Sequence, residues 1–568
     1  MKSIIFLEST VKKRTIKSFL GEKYVIFATG GHLTEISKKG YLNLGIDPWS
    51  GKFSPEYEII KEKEELILFW KKYIEKENIK NIFLATDPDR EGEAISKEIV
   101  KVLDYPNLKY KRLLFFEINS NSIKKSLEEP TEINNNLVEA QVSRMVLDRI
   151  IGFCLSNILR KKMKAFSAGR VQSVVLKLIV DKETEILKKK REYIICVTCL
   201  VNGEEIILKH TSGKGEIISF PDFFEAEKIL GKLGNELNLI GKEKRDEYII
   251  PNHPITTSSL LSEAKRRLNF SISKTTKIAQ KLYEGIKIAN KNIWTGLITY
   301  PRTDSTRINC NFSKNIYKII EEKWGKEYCN FSPLWKKKRE RINVQGAHES
   351  IRPTYLNYHP NDEIIKRSLT REEYQLYSLI FFHTLSSFMM PSKFKNNLFF
   401  FNNNNFTFTL SEKENIFPGF LICQSKSILN NINSKKNTVN NISKLVAKKK
   451  EIKENLRKKP FRYNEGNIIK KLEELGIGRP STYNSFCQII LKRKYVFLDE
   501  KKNFVPTKLG FLVNKWLQNN FSLLINEKYT ASLESELDKI SNGNETYFCF
   551  INNFWNNFSK QISKFENE

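Results

Sequence analysis

Two β-type stretches lie far apart in the chain, at residues 193–250 and 394–446, and the run between them, 257–379, reads as mostly helical. Separated β-type stretches that flank a helical insert can form one domain, and that domain would be an arch carrying the inserted module away from a base. The insert is entered through Pro251-Asn252-His253-Pro254. Upstream, buried runs alternate with amphipathic ones. Residues 4–7 and 82–85 read as strands, and residues 12–19 and 91–103 have helical periodicity. Strand–helix alternation of this kind argues a Rossmann-like sheet reaching to about residue 137. A helical stretch follows at 140–190. The polar, Asn-rich run 425–441 is expected to be irregular, and the basic run 448–459 precedes a final helical block. The fold class expected is therefore mixed α/β and multidomain, with a Rossmann-like domain, helical domains and a β arch.

The chain has 568 residues, which at roughly 100–200 residues per domain means about three to five folding units. Its 40% hydrophobic content excludes a fully disordered chain. No run approaches ~18 uninterrupted apolar residues, and the apolar start breaks at Glu8, too soon for a signal peptide. The expectation is a cytoplasmic protein with no membrane segment. The cysteines are scattered, and the one CxxC, Cys196 and Cys199, lies in a strand-like run without a second pair, so it reads as structural rather than zinc-binding. Lys and Arg exceed Asp and Glu by 95 to 65, a formal charge of +30. That excess favours polyanions, nucleic acid foremost. A blander source competes with it: the Lys-, Asn-, Ile- and Phe-rich composition, seen in Phe399-Phe400-Phe401-Asn402-Asn403-Asn404-Asn405, looks like A/T-biased coding drift.

The acidic residues are more specific. Glu8 ends the first strand, and the second ends Thr86-Asp87-Pro88-Asp89-Arg90-Glu91-Gly92-Glu93. In an extended segment Asp87 and Asp89 point the same way. The carboxyl ends of strands in an open α/β sheet are where ligands collect, and several acids meeting there suit Mg²⁺, which takes oxygen ligands and shares them with phosphate. A bare DxD is more often a solvated turn; a second strand contributing Glu8 in a basic protein favours Glu8, Asp87, Asp89 and Glu91 as metal ligands. A strand ending in Glu, then DxDxEGE after another strand, resembles the Toprim domain shared by type IA and type II topoisomerases, bacterial primases and some nucleases. That likeness implies Mg²⁺-assisted phosphodiester chemistry without choosing among these enzymes.

The choice comes from Gly296-Leu297-Ile298-Thr299-Tyr300-Pro301-Arg302-Thr303-Asp304-Ser305-Thr306. A Tyr hydroxyl, with a pKa near 10, is a poor nucleophile, but a cation two residues along can stabilise the phenolate and grip a phosphate oxygen. This segment resembles the active-site signature of type IA DNA topoisomerases. Other matches follow in that family's order. Glu8-Ser9 with Lys12 resembles its first motif, with Thr10 where Pro is usual, and Gly31-His32 matches its glycine–histidine turn. Arg144, Asp148 and Arg149 match a DNA-binding helix. Ser167-Ala168-Gly169-Arg170-Val171-Gln172-Ser173 matches the helix lining the single-strand groove, and Gly346-Ala347-His348-Glu349 the histidine motif. Gly476-Ile477-Gly478-Arg479-Pro480-Ser481-Thr482-Tyr483 is similar to the bacterial topoisomerase I branch rather than topoisomerase III. Arg493 falls on a DNA-contacting position, with Lys494 replacing a usual Gly.

The resemblance implies a toroid of four domains: a Toprim domain at 1–137, a helical base at 138–192 plus 455–568, a β arch at 193–251 plus 375–454, and a Tyr-bearing module at 252–374. It implies an isomerase that relaxes underwound DNA. Tyr300 would be the nucleophile, Arg302 and Lys12 would stabilise charge, Glu8 would handle the 3′-oxygen proton, and His348 would stand beside them. His32, Arg144, Asp148, Arg149, Ser167, Ala168, Gly169, Arg170, Val171, Gln172, Arg302, Arg479, Ser481, Thr482 and Arg493 would meet DNA. No GxxxxGK[ST] loop appears, so ATP is not expected. The chain is expected to act as a monomer with Mg²⁺, as a minimal form without C-terminal zinc ribbons. A Toprim primase or nuclease would share the acids but has no use for the Tyr300 segment. A retired DNA-binding scaffold would not need every motif acid, base and nucleophile intact.

Overall fold

The computed structural model describes residues 2–163, 167–289, 293–333, 335, 349–423, 442–456 and 460–566. The chain opens with β1 (Ser3–Leu7), α1 (Thr10–Leu20) and β2 (Tyr24–Ala28), and continues through β3 (Asn81–Leu84), α2 (Arg90–Leu103) and β4 (Lys109–Arg112). These strands form a parallel sheet in the order β2-β1-β3-β4, with Ile4 beside Ile82 and Phe6 beside Leu84. Both faces of β1 are covered, as a parallel sheet requires. Ile4 and Phe6 pack with Trp70 and Ile95 on one face, while Ile5 and Leu7 join a core on the other that contains Tyr283 and Tyr300. The sheet is thus welded on one side to the segment carrying the tyrosine.

Local signals set the ends of these elements. Ser9 caps α1 by accepting from the Val11 amide, and Asp89 caps α2 by accepting from the Gly92 amide at 2.9 Å. Glu91 and Glu93 stand in the first turn of α2, where the helix dipole favours negative charge. Gly92 is required there by space: a Cβ would lie 2.0 Å from the Asp87 carbonyl oxygen.

Helices α3 (Asn135–Met163) and α4 (Arg170–Lys188) share one hydrophobic core with residues 468–562, far along the chain. Next come β5 (Tyr193–Val201), β6 (Glu204–His210) and β7 (Glu236–Ile249), then α5 (Thr257–Leu268) and α6 (Ile272–Glu284). The later strands β8 (Ser392–Asn403), β9 (Phe406–Phe417) and β10 (Lys444–Glu454) return to the earlier ones. Together they make a closed barrel in the order β8-β9-β6-β5-β10-β7, a closure that leaves no free sheet edge. Phe399, Phe401 and Phe408 fill its interior, so the phenylalanine-rich tract is core rather than idle drift. Cys196 and Cys199 are both buried on β5 and unbonded to each other.

Three details differ from the sequence expectation. The first β-type stretch contains a helix, Phe223–Leu230. The helical insert contains a short hairpin, Ile286–Ile288 with Ile293–Thr295. Residues 448–454 of the basic run 448–459 belong to barrel strand β10, paired with β5, on which Lys448, Lys449 and Lys453 are exposed while Lys450 is half-buried and donates to the Leu233 carbonyl. The Asn-rich run 425–441 lies outside the described residues. Among the described residues no helix is long and apolar enough to cross a membrane.

Arg112 holds the active end of the sheet. Its side chain is fully buried and donates to Glu93, to the carbonyls of Leu84, Thr86 and Leu113, and to the Asp87 carbonyl at 2.7 Å. Arg112→Met leaves Glu93 charged and unpaired, at an expected loss of about 3–5 kcal/mol. Adding Glu93→Gln should restore part of that. Urea unfolding of both variants checks this; a double variant as unstable as the single one would show that the carbonyl contacts, not the ion pair, carry the effect.

Candidate active site and single-strand groove

Chain direction brings the acids together. β1 and β3 are adjacent and parallel, so the residues just past their carboxyl ends, Glu8 and Asp87 to Asp89, meet at one edge. Lys12 of α1 is fully buried and donates to Asp87 Oδ1 at 2.6 Å. From the other side α6 presents Gln280, which donates to Asp87 and to Glu284, and Glu284 accepts from Ser9 at 3.0 Å.

Tyr300 is 2% exposed and reaches into this cluster. Its backbone amide donates to the Phe116 carbonyl, and its ring meets the Tyr283 ring edge-on at 5.2 Å. The hydroxyl donates to Asp89 Oδ2 at 2.6 Å. Arg302 Nη1 lies 3.3 Å from the same oxygen and 3.4 Å from Glu91. A tyrosine hydroxyl and a guanidinium from one part of the chain therefore share one carboxylate of another.

The electrostatics are uneven across the cluster. Burial, and then the charge of Asp89, pushes the Tyr300 hydroxyl well above its ordinary pKa, so it rests as a phenol. The Tyr300 oxygen, once ionised, and at rest Asp89, Asp87 and Glu91 favour the charged form of Arg302 against the cost of burial. Burial opposes the charge of Asp87, but Lys12 and Arg302 overcome it and hold that carboxyl below the usual range. Glu8 goes the other way: burial, Asp87 and Asp89 raise it to about 8. Its Oε2 is buried without a hydrogen-bond partner among the described residues. His32 sits at the rim, 2.7 Å from Glu98 and 3.7 Å from Glu91. Burial works against its charge, yet those hydrogen bonds raise it to about 10.

These carboxylates are a hard oxygen donor set, and the partnerless oxygen of Glu8 is an acceptor that a divalent cation would satisfy. Lys12 and Arg302 occupy Asp87, Asp89 and Glu91, and no three His, Cys, Asp or Glu side chains among the described residues converge as a finished metal cluster.

Two cavities continue from the site. The smaller, about 200 Å³, is lined by Asp89, Glu91, Arg144, Arg302, Arg479, Ser481 and Thr482 among others. The larger, about 840 Å³, is lined by Asp148, by the run Ser167, Ala168, Gly169, Arg170, Val171 and Gln172, and by Arg493, with the rings of Phe153 and Phe486. Thr482 lines both, so the two cavities adjoin there. Rings and cations along one trough suit a single strand, whose bases stack and whose phosphates pair. Arg149 lines neither cavity. It donates to the carbonyls of Leu44, Ser37 and Asn43 and lies over the Phe153 ring. His348 lies outside the described residues.

Sequence reasoning missed the residues that brace the site. Gln280, Tyr283 and Glu284 stand at helical spacing on α6, which alone would have marked one face. Arg90, Arg112, Glu534 and Asp538 gave no local signal, because their partners are remote.

The matches with known proteins agree with this geometry. A family model described as DNA topoisomerase matches residues 132–552, and the Toprim domain matches residues 3–118. Among solved structures, full-length topoisomerase I from Thermotoga maritima is similar over 98% of this chain and 90% of that one, with 32% identity and a TM-score of 0.79.

The raised Glu8 pKa has a consequence for stability. A carboxyl at about 8 in the folded state and about 4.3 unfolded binds more protons when folded across that window. Its contribution is therefore lost as pH rises. In chelator-containing buffer, wild-type protein should lose stability relative to Glu8→Gln between about pH 5 and pH 8. A difference in denaturation midpoint that stays constant with pH would show that Glu8 is not the protonated acid.

Proposed function

The chain belongs to the bacterial type IA DNA topoisomerases, in the topoisomerase I branch, and from that premise we propose that it relaxes negatively supercoiled DNA without ATP, by cleaving one strand through a 5′-phosphotyrosine at Tyr300, passing the other strand and resealing. The observation that carries this reading is the hydrogen bond from Tyr300 to Asp89, made beside Arg302 at the end of the groove. A primase or nuclease would need the acids but not a buried tyrosine placed among them. The same reading divides the chain into a Toprim domain (1–137), a helical base (138–192 with 455–568), an arch (193–251 with 375–454) and a tyrosine module (252–374).

In the proposed reaction a single strand from underwound duplex follows the trough, with Arg144, Arg170, Arg479 and Arg493 serving its phosphates and Ser167 to Gln172, Ser481 and Thr482 its register. The Tyr300 oxygen attacks a phosphodiester; its proton passes to Asp89, already in hydrogen-bond contact. The bond from phosphorus to the 3′ oxygen breaks, and Glu8, protonated near neutral pH, supplies the proton that oxygen needs. Arg302 and Lys12 stabilise the charge that develops. Resealing runs the same transfers backward, and the covalent bond conserves the phosphodiester energy. Glu8, Asp87, Asp89 and Glu91 would hold Mg²⁺, whose charge would help seat the phosphate for resealing.

Tyr300→Phe removes one oxygen and little volume. A 3′-labelled oligonucleotide should still bind the variant, while the labelled protein adduct disappears; an adduct in that variant would remove Tyr300 as nucleophile.

Supercoiled plasmid with Mg²⁺ and no nucleotide triphosphate should be relaxed by the wild-type protein. Chelation, or Asp87→Ala with Asp89→Ala, should abolish relaxation. Wild-type relaxation by the double variant would refute the acidic site.

A further inference from the structure

The cations of the strand path are not free groups on a surface. Helix α7 (Glu465–Leu475) and the turn after it lead to Arg479, and helix α8 (Glu527–Ser541) packs behind that turn. On α8, Glu534 and Asp538 stand four residues apart and so share one face; both are almost wholly shielded from solvent. Glu534 accepts from Arg144 at 2.5 Å and from Arg170 at 2.7 Å, and lies 3.7 Å from Arg479. Asp538 accepts from Arg90 at 2.6 Å and pairs with Arg479. Two carboxylates thus gather four guanidiniums from α2, α3, α4 and the 476–482 turn. Asp148, half exposed, adds a partner for Arg170 at 2.8 Å.

Buried ion pairs of this kind are a poor source of stability, because taking the charges out of water costs about what their attraction returns. A network kept on those terms serves geometry. Arg90, Arg144 and Arg479 line the small cavity beside Arg302, and Arg170 lines the larger one. Acceptors also run short. Arg90 Nε and Nη1 and Arg144 Nε are buried with no acceptor among the described residues. Asp89, Glu91 and Asp304 line the same cavity, the first two already facing Arg302.

We propose that Glu534 and Asp538 are positioning residues: they hold Arg90, Arg144, Arg170 and Arg479 as a preformed receptor for a backbone phosphate of the strand next to Tyr300. The proposal rests on the topoisomerase reading and deepens it. The two acids act through the arginines and do not touch DNA.

Charge counting and positioning predict opposite things. Removing an anion from a DNA groove should tighten binding, whereas loosened arginines should slow the reaction. In the full chain, Glu534→Gln keeps length and removes charge. Three quantities are measured: the denaturation midpoint, the affinity for a 3′-labelled single-stranded oligonucleotide across salt, and the rate of covalent adduct formation at saturating DNA. Affinity should hold or rise, and the saturated rate should fall about tenfold or more, as small misplacements do. Combining Glu534→Gln with Arg170→Ala should lose less than the two single losses multiplied together, because Glu534 acts in part through that side chain. A wild-type saturated rate in Glu534→Gln, a loss confined to affinity, or additive losses in the double variant would overturn the proposal. If Glu534→Gln does not fold, Asp538→Asn is read the same way through Arg90 and Arg479, and a wild-type rate there overturns it equally. Absence of any Tyr300-dependent adduct with the wild-type chain would instead strike the topoisomerase reading itself.

Discussion

One carboxylate joins the two halves of the site. Asp89 Oδ1 caps α2 through the Gly92 amide, and Oδ2 accepts from Tyr300 while facing Arg302. The first contact ties Asp89 to the parallel sheet; the second ties it to a segment more than two hundred residues away. Because the cap fixes the carboxylate, it also fixes where the tyrosine oxygen stands. Arg112 sets the backbone behind it, and the space left by Gly92 lets the Asp87 carbonyl come close. A substitution that disturbs the helix start therefore disturbs the placing of the Tyr300 hydroxyl. Burial, and then the charge of the same carboxylate, keep Tyr300 a phenol.

The parts legible in the sequence were those with short-range codes. Residues 4–7 and 82–85 announce themselves as buried strands, and the acids after them follow from the rule that ligands gather at strand carboxyl ends. The separation of two β-type stretches by a helical run pointed to a shared body, and the barrel strands β5 to β7 and β8 to β10 do pair across that interval. The helix Phe223–Leu230 was hidden because eight residues of amphipathic pattern are easily read as strand when strands surround them. The hairpin at Ile286–Thr295 was hidden for the converse reason.

What the sequence could not express was pairing at long range. Glu534 lies 364 residues from Arg170 and 390 from Arg144. Nothing in the local period of α8 says that its acids answer arginines on α3 and α4. Arg149 makes the same point in reverse. The family resemblance placed it with Arg144 and Asp148 on a DNA-binding helix, and its Nε and Nη2 donate to the carbonyls of the 37–44 loop. A motif match assigns a residue to a helix, whereas tertiary contacts decide what its side chain meets.

This bears on the meaning of the +30 charge. Much of it is carried by exposed lysines, as on the outward side of β10, where Lys448, Lys449 and Lys453 pair loosely with acids or face water. Such charge acts at a distance and is screened beyond about 8–10 Å at ordinary salt. The groove arginines work differently. Arg170 is 3% exposed and Arg144 8% exposed, each neutralised in part by a buried acid. What distinguishes them is fixed direction rather than net charge, since each is held by Glu534. Compositional drift can add or remove surface lysines with little effect on that geometry. A chain can therefore carry a large and variable basic excess while its reactive groove depends on a few cations that are each matched by an acid.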